Sequence, residues 1–281
     1  MILARNLSYL RTMQTGLDGK VVLITGASGG IGSAIARHFA GEGAKLVLHY
    51  RSGRQNVEAL LRRFKSEDAM SVRADLTKEN QVRRIFAQAL KRFGRVDTLI
   101  ANAGSWESHD VPFHKMSVRQ WENTFNHVLT STFLSSREFF RVVARQKRGN
   151  AVLIASTAAV FGEAGHADYA AAKSAMAFGL MRSLKNEIAH LAPTTSNYCG
   201  GRVNCVCPGW TIVPRTAAKL KDTKAVRQVT STMALQKVAR PDDVASAVVF
   251  FASDVLAGHI TGQTLVVAGG MEGRLLWPSI L

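Results

Sequence analysis

The stretch VVLITGASGGIG, residues 21–32, decides the fold of this 281-residue chain. It joins a run of β-branched and aliphatic residues to four glycines, and apolar residues then recur at helical spacing over 31–41. We therefore predict a strand at 20–25, a glycine-rich turn and a helix. The free N–H groups and the positive dipole end of such a helix favour a bound phosphate.

Three of the glycines have separate physical reasons. Gly26 permits the tight turn, Gly30 lets the backbone approach a pyrophosphate without an intervening Cβ, and Gly32 lets the helix pack closely on the sheet. The spacing is GxxxGxG, so it matches the dinucleotide-binding fingerprint GxGxxG in mechanism and not in letter. Taken alone, the run also fits a purely structural turn.

The remainder of the chain alternates short aliphatic runs with longer helical patterns, which is typical of βαβ units. We predict a single α/β domain with a Rossmann-type, doubly wound, parallel seven-stranded sheet. The further strands are expected at 45–50, 69–73, 97–101, 150–155, 202–206 and 264–268. The further helices are expected at 55–65, 79–92, 117–146, 167–190 and 241–253, with helix ends at Gly41, Gly94 and Gly149.

The domain is predicted to span 20–270, between an N-terminal extension at 1–19 and a C-terminal tail at 271–281. The extension carries Arg5 and Arg11 and has no acidic residue before Asp18. That composition fits an organellar transit peptide, a disordered tail or a first turn packed on the core. Residues 210–238 are poorly periodic, and loops of that length are functional lids or disordered segments.

Composition restricts the class of protein and its partners. A hydrophobic content of 47% is sufficient for a buried core, and a net charge of +16 suggests an acidic ligand or partner, or a compartment of basic proteins. Three cysteines without a CxxC pair favour a reducing, cytoplasmic or organellar, location and no zinc site. No apolar run approaches the roughly 20 residues of a membrane span, so we predict a soluble protein with no membrane partner and no metal.

A nucleic-acid partner is also not expected. The basic pairs fall on separate predicted helices and form no single stripe interleaved with aromatic residues. These pairs are Arg62–Arg63, Arg83–Arg84, Lys91–Arg92 and Lys147–Arg148.

Arg51 follows the second predicted strand, where an acidic residue would bind the ribose hydroxyls of NAD and a basic one the 2′-phosphate of NADP. Residues 49–54 contain no acid. The sequence therefore favours NADP(H) as the cofactor. The alternative is an ordinary solvated surface arginine.

Ser156, Tyr169 and Lys173 form the pattern of a general-acid site. Tyr169 and Lys173 are four residues apart on one face of a predicted helix, and Ser156 ends the strand before it. An ammonium beside a phenol favours the phenolate, so we expect a lowered pKa for Tyr169. Tyr169 would protonate a carbonyl oxygen that Ser156 holds by a hydrogen bond. The Tyr–Lys pair alone also fits an ordinary amphipathic helix.

Together these segments resemble the short-chain dehydrogenase/reductase family. The resemblance rests on TGASGGIG at 25–32, NAG at 102–104, Ser156 with YAAAK at 169–173, and PG at 208–209, and it covers about residues 20–270. It implies hydride transfer with a nicotinamide cofactor, and a homotetramer or homodimer formed through the helices at 117–146 and 167–190. GRVDTLIANAG and ITGQTLVVAGG are most similar to 3-oxoacyl-(acyl carrier protein) reductases.

The resemblance also implies roles for individual residues in cofactor binding. Tyr169 and Lys173 would contact the nicotinamide half, and Lys173 its ribose. The other implied contacts are Gly26, Ser28, Gly30, Ile31 and Gly32 along the cofactor, Asp75 and Leu76 at adenine, Asn102, Ala103 and Gly104 under the adenosine ribose, Pro208 and Gly209 beside the nicotinamide, and Thr211 or Thr216 at the carboxamide.

The chain departs from the family pattern at Val128, where the family usually has a catalytic Asn that helps to hold a water beside the lysine. Thr132, one helical turn on, is the expected substitute. The segment 191–201 is also longer than usual. The sequence favours an NADPH-dependent reductase of a 3-oxoacyl thioester or another ketone. The alternative is an NADP(H)-binding sensor or scaffold with weak turnover.

The proposed oligomer has a second basis in the two long predicted helices. They carry more apolar residues than one face on a sheet can bury, and we expect the surplus to pack on a second subunit. The residues in question are Phe133, Phe139, Phe140, Met176, Phe178 and Met181.

Overall fold

The computed structural model describes residues 14–105, 109–217 and 219–271. Seven parallel strands form one sheet in the order β3-β2-β1-β4-β5-β6-β7, which confirms the predicted doubly wound α/β fold. The strands are β1 Val21–Ile24, β2 Lys45–Tyr50, β3 Ala69–Arg73, β4 Thr98–Ala101, β5 Asn150–Ile154, β6 Arg202–Pro208 and β7 Thr264–Val267.

Helices cover both faces of the sheet. The helices are α1 Gly30–Gly41, α2 Arg54–Leu61, α3 Glu79–Phe93, α4 Val118–Phe125, α5 Ser131–Gln146, α6 Ala158–Phe161, α7 Ala167–Ser174, α8 Met181–Leu191, α9 Thr223–Thr230 and α10 Pro241–Ala252. Short 3₁₀ turns occur at Phe113–Lys115 and Lys219–Lys221.

Side-chain alternation along the strands creates two apolar cores, one on each face. In β2, for example, Leu46 and Leu48 pack with α1, α2 and α10, whereas Val47 packs in the opposite core with α3, α5 and α8. Both faces of a parallel sheet must be covered in this way. The strand order reverses between β1 and β4, and such a reversal opens a crevice at the carboxyl ends of the strands.

The two long predicted helices are each interrupted by a π-helical turn, at Asn126–Thr130 and at Ala175–Leu180. Around the first turn, Ser131 Oγ donates to the carbonyl of His127 (2.8 Å) and Thr132 Oγ1 to the carbonyl of Val128 (2.8 Å). Side-chain hydroxyls thus supply donors to carbonyls where the helical ladder changes register.

The structure differs from the sequence pattern in two places. α5 ends at Gln146, the predicted last residue of the helix, but the residue that caps it is Lys147 in the left-handed conformation (φ 57°) and not Gly149. The poorly periodic segment 210–238 contains α9, which the sequence pattern did not indicate. Gly94, in contrast, caps α3 at φ 75° as predicted.

Most of the supposed surplus apolar residues belong to the core of the chain itself. Four of them are buried within one chain: Phe139, Phe140, Met176 and Met181. The expectation that these four side chains pack on a second subunit was therefore wrong. They fill the space between the sheet and the helix layer. Phe133 differs, because 43% of it is exposed.

The end of the N-terminal extension packs on the domain. Leu17 is buried against the α1 and α10 side, and the carbonyl of Thr15 accepts a hydrogen bond of 2.6 Å from Ser253. Arg5, Arg11 and the tail beyond residue 271 lie outside the described residues. Within the described ranges, every helix is too short or too polar to span a bilayer.

Candidate active site

The glycine turn between β1 and α1 is braced by the chain that follows β4. Gly26 has φ +67°, and Asn102 Nδ2 donates to the carbonyls of Thr25 (2.9 Å) and Gly26 (3.2 Å). A Cβ on Gly32 would lie 2.3 Å from the Gly26 carbonyl oxygen. The turn therefore needs glycine at both positions, for backbone conformation at Gly26 and for close approach at Gly32.

The start of α1 is suited to an anion. Gly29 caps the helix without a side-chain hydrogen bond, and the first turn holds no acidic residue. A Cβ on Gly30 would lie 2.5 Å from Val213 Cγ1, so this turn needs glycine where Val213 packs against it. A phosphate group fits such a bare helix N-terminus.

His49 supports the turn from β2, and the sequence patterns did not single it out. Its Nδ1 accepts a hydrogen bond from the Gly26 N–H (3.1 Å), so its Nε2 carries the proton and donates to the carbonyl of Ala74 (3.0 Å). Burial lowers the pKa of His49 to about 4. The imidazole is therefore neutral at physiological pH, and it fixes the turn without adding charge.

The end of the crevice where the sequence predicts the adenosine half of a cofactor, called the adenosine end below, is lined by Arg51, Asp75, Leu76 and His127. Arg51 Nη1 lies 3.1 Å from His127 Nδ1. The Asp75 carboxylate accepts from the N–H (3.0 Å) and hydroxyl (2.8 Å) of Thr77. Burial opposes ionisation of Asp75, but these bonds and the charge of Arg51 hold its pKa below the usual value.

Ser156, Tyr169 and Lys173 come together at the other end. Ser156 follows β5, and its side chain is hydrogen-bonded to the Tyr169 hydroxyl. Lys173 Nζ lies 5.8 Å from the Tyr169 ring centroid and donates to the Ile154 carbonyl (2.6 Å). A Cβ on Gly104 would lie 3.3 Å from this ammonium, so the glycine of NAG leaves it room.

The catalytic residues Ser156, Tyr169 and Lys173 and all the expected cofactor-binding residues line one cavity of about 740 Å³. Pro208, Gly209, Thr211 and Thr216 line it on the β6 side. The Thr211 hydroxyl donates to the Gly209 carbonyl (2.9 Å). The Thr216 hydroxyl donates to the Thr211 carbonyl (2.6 Å) and accepts from the Val213 N–H (3.1 Å). The glycine turn and the basic adenosine end of this cavity fit a nicotinamide dinucleotide.

Comparison with known proteins agrees with this geometry. A family model described as enoyl-(acyl carrier protein) reductase matches residues 26–272. A solved short-chain dehydrogenase/reductase from Brucella melitensis, titled glucose/ribitol dehydrogenase, superposes with a TM-score of 0.80 at 30% identity, over 91% of this chain and 97% of its own. The chain belongs to the short-chain dehydrogenase/reductase family. It is an oxidoreductase of that family.

Curated relatives have nearly the same length as this short-chain dehydrogenase/reductase. A 3-oxoacyl-[acyl-carrier-protein] reductase from Synechocystis sp. is 30% identical over 92% of this chain and 98% of its own. An acetoacetyl-CoA reductase from Acinetobacter sp. is 33% identical over 90% and 98%. A 3beta-hydroxysteroid dehydrogenase 1 from Eggerthella lenta is 32% identical over 92% and 96%.

The prediction that the pKa of Tyr169 is lowered in this short-chain dehydrogenase/reductase is wrong. Burial raises the pKa of Tyr169 to about 12, which outweighs the hydrogen bond from Ser156. Burial likewise lowers the pKa of Lys173 to about 8. The phenol therefore holds its proton at physiological pH, which is the state that a proton donor requires.

Thr132 does not face the catalytic cavity. Val128 is fully buried in the core, and Thr132 is buried beside it. The Thr132 hydroxyl donates to the Val128 carbonyl (2.8 Å). The expectation that Thr132 replaces the usual Asn of the short-chain dehydrogenase/reductases was therefore wrong. Ser131, one residue earlier, lines the cavity.

Cys205 and Cys207 lie on β6, and both are buried. The Cys205 thiol donates to the Val206 carbonyl (3.8 Å), and the adjoining Cys205 side chain is the main cause of a lowered pKa of Cys207, although burial opposes it. The backbone of Ser156 also hydrogen-bonds to Cys207. The thiols thus form part of the floor that holds the Ser156 backbone.

Proposed function

We propose that this chain reduces the carbonyl of a 3-oxoacyl thioester or another ketone to the alcohol, with NADPH as the reductant. One observation carries the proposal: Ser156, Tyr169 and Lys173 line one end of the cavity that has Arg51 at its other end. The reductase names of two full-length relatives support the same substrate class.

The chemistry follows from the groups at the catalytic end. NADPH, when bound, supplies a hydride to the carbonyl carbon. The Ser156 hydroxyl donates a hydrogen bond to the carbonyl oxygen and orients it. Tyr169 transfers its proton to that oxygen as the C–H bond forms, which completes the alcohol. Lys173 stabilises the resulting phenolate by its charge, since opposite charges nearby favour the ionised form.

Arg51 supports NADPH over NADH. It is exposed at the end of β2, and its guanidinium can pair with a 2′-phosphate by charge-assisted hydrogen bonds. A basic side chain there offers no acceptor for the ribose hydroxyls of NAD.

The test is loss of NADPH absorbance when the purified protein is given a panel of ketones and 3-oxoacyl thioesters. We expect turnover with at least one member of the panel. Tyr169→Phe should lower turnover by about 10²–10⁴ while NADPH still binds, because it removes the proton donor with little change of shape. Near wild-type turnover in this variant would contradict the proposed chemistry.

A second candidate is an NADP(H)-binding sensor or scaffold with weak turnover. Val128 favours it, because a fully buried valine can neither donate nor accept where the family pattern has an Asn. NADPH binding without reduction of any panel member would support this candidate.

We also propose a homodimer or homotetramer in a reducing, cytoplasmic or organellar, compartment. Cys199, Cys205 and Cys207 are free thiols, which fits such a compartment. The exposed Phe133 on α5 supports a subunit contact at that helix.

A further inference from the structure

His127 and Arg51 meet across the adenosine end of the cavity, although 76 residues separate them in sequence. Arg51 follows β2 and His127 lies in the π turn between α4 and α5. A guanidinium only donates, so His127 Nδ1 accepts at 3.1 Å and the ring proton stays on Nε2. His127 is thus held as a neutral imidazole that faces a cation inside a ligand cavity.

The surroundings of this pair are suited to an anion. Ser52 and Asn56 line the cavity beside Arg51, and α2 begins at Arg54 with no side-chain cap and no acidic residue in its first turn. The acid nearby, Asp75, accepts two hydrogen bonds from Thr77 at Oδ1. Two potential cations and an open helix N-terminus therefore converge.

We propose that His127 is a second binding residue for the 2′-phosphate of the coenzyme: the phosphate replaces the Arg51–His127 contact and accepts hydrogen bonds from the guanidinium and from an imidazolium. The inference rests on the proposed use of NADPH. His127 takes one proton from solvent at Nδ1 as the phosphate binds, and no other bond is formed or broken.

Charges on the neighbouring elements fit this proton uptake. Burial and the charge of Arg51 lower the pKa of His127, and Asp75 opposes them. On α7, which packs against the π turn, Asp168 accepts from Gln120 and Thr124 of α4, and Lys173 donates to Ile154. Neither α7 group is among the charges that act on His127, which are those of Arg51 and Asp75.

A phosphate between Arg51 and His127 reverses the effect of the surrounding charge on the protonation of His127. Its negative charge offsets the guanidinium and favours the imidazolium, so the pKa of His127 rises on binding. Binding then gains from His127 at pH values below its raised pKa, and the gain is lost as the pH rises through that pKa. The contribution of His127 to NADPH selectivity must therefore be larger in mild acid than in mild alkali.

The test is fluorescence titration of the full chain with NADPH and with NADH at about pH 6 and about pH 8.5, which lie on either side of the ordinary histidine pKa. We compare the wild type with His127→Asn, which keeps a polar group but does not titrate, and with His127→Gln. The 2′-phosphate itself titrates in this range. Its contribution is common to all variants, so the wild-type-to-variant difference isolates His127.

We expect both variants to weaken NADPH binding by about threefold or more at the lower pH, and less at the higher pH, with NADH binding within about twofold of wild type. Unchanged NADH binding shows that the variants are folded. Variants with wild-type NADPH selectivity at both pH values would overturn the role of His127 alone. A wild type that does not prefer NADPH would overturn the proposed coenzyme as well.

Discussion

Lys173 Nζ donates a hydrogen bond of 2.6 Å to the carbonyl oxygen of Ile154, the last residue of β5 and two positions before Ser156. The bond joins α7 to the end of the strand that carries Ser156. Because Lys173 is only 3% exposed, the ammonium has left bulk water to make it. The same helix carries Tyr169, so this contact helps to fix the Tyr169–Ser156 pair.

The buried ammonium should cost stability at neutral pH. The pKa of Lys173 is lowered to about 8 in the folded chain, so the unfolded chain binds more protons between about pH 8 and pH 10.5, and wild-type stability should rise with pH over that window. Lys173→Met removes the titration. The free energy of unfolding of this variant minus that of the wild type should be larger at pH 7 than at pH 10, by on the order of 2 kcal/mol. Denaturant unfolding of both proteins at the two pH values measures this change. The same difference between variant and wild type at both pH values would contradict the prediction.

Gly32 should tolerate no side chain. Because a Cβ there would lie 2.3 Å from a backbone oxygen, Gly32→Ala should displace the turn, destabilise the chain by about 1–3 kcal/mol and abolish NADPH binding. Gly41→Ala on the same helix is the matched control, since nothing lies within 4 Å of its added Cβ. Thermal unfolding and coenzyme titration measure both effects, and equal behaviour of the two variants would contradict the argument.

Arg51→Ala should reduce the preference for NADPH over NADH by about 1–3 kcal/mol, the value of a charge-assisted hydrogen bond. Arg63→Ala serves as control, because Arg63 is an exposed arginine at the end of α2 and does not line the cavity. The preference is measured from the dissociation constants of NADPH and NADH for the wild type and both variants. An unchanged preference in Arg51→Ala would assign coenzyme selectivity to other residues.

Substitutions at Val128 and Thr132 should act mainly on stability. Val128→Asn places an amide in a fully buried site and should cost about 1–3 kcal/mol without raising kcat by more than about threefold. Thr132→Val removes a buried hydrogen bond and should cost about 1 kcal/mol with kcat unchanged. A tenfold rise of kcat in Val128→Asn would instead identify the natural protein as a weakened enzyme.

Phe133 is the expected subunit contact on α5. Its ring is 43% exposed and lies 5.0 Å from the guanidinium carbon of Arg137. Phe133→Asp should shift the oligomer toward monomer in light scattering at micromolar concentration, because it places a charge in an apolar contact. Val255→Asp, at a residue 64% exposed elsewhere, should leave the mass unchanged. A monomeric wild type would contradict the proposed association.

Much of the fold could be predicted from the sequence. The seven strands lie within two residues of their predicted positions, because a buried parallel strand is a short aliphatic run that ends at a turn. Tyr169, Lys173 and the glycine turn were recognisable for a related reason: residues four apart share a helix face, and glycine is required where the backbone turns tightly. These are local properties of the chain.

Other features depended on which segments pack together. The pKa of Tyr169 rises because surrounding elements exclude water from it, and that exclusion has no signature within YAAAK. Thr132 shares the helix face of Val128, as its spacing of four residues predicts, but that face is buried, and Ser131 beside it lines the cavity. The contact between Arg51 and His127 exists only because β2 and the π turn border the same crevice. Sequence periodicity therefore determined the strands and helices and the positions of the catalytic residues along them. Tertiary packing decided how deeply these residues are buried, which of them hold a proton, and which groups they contact.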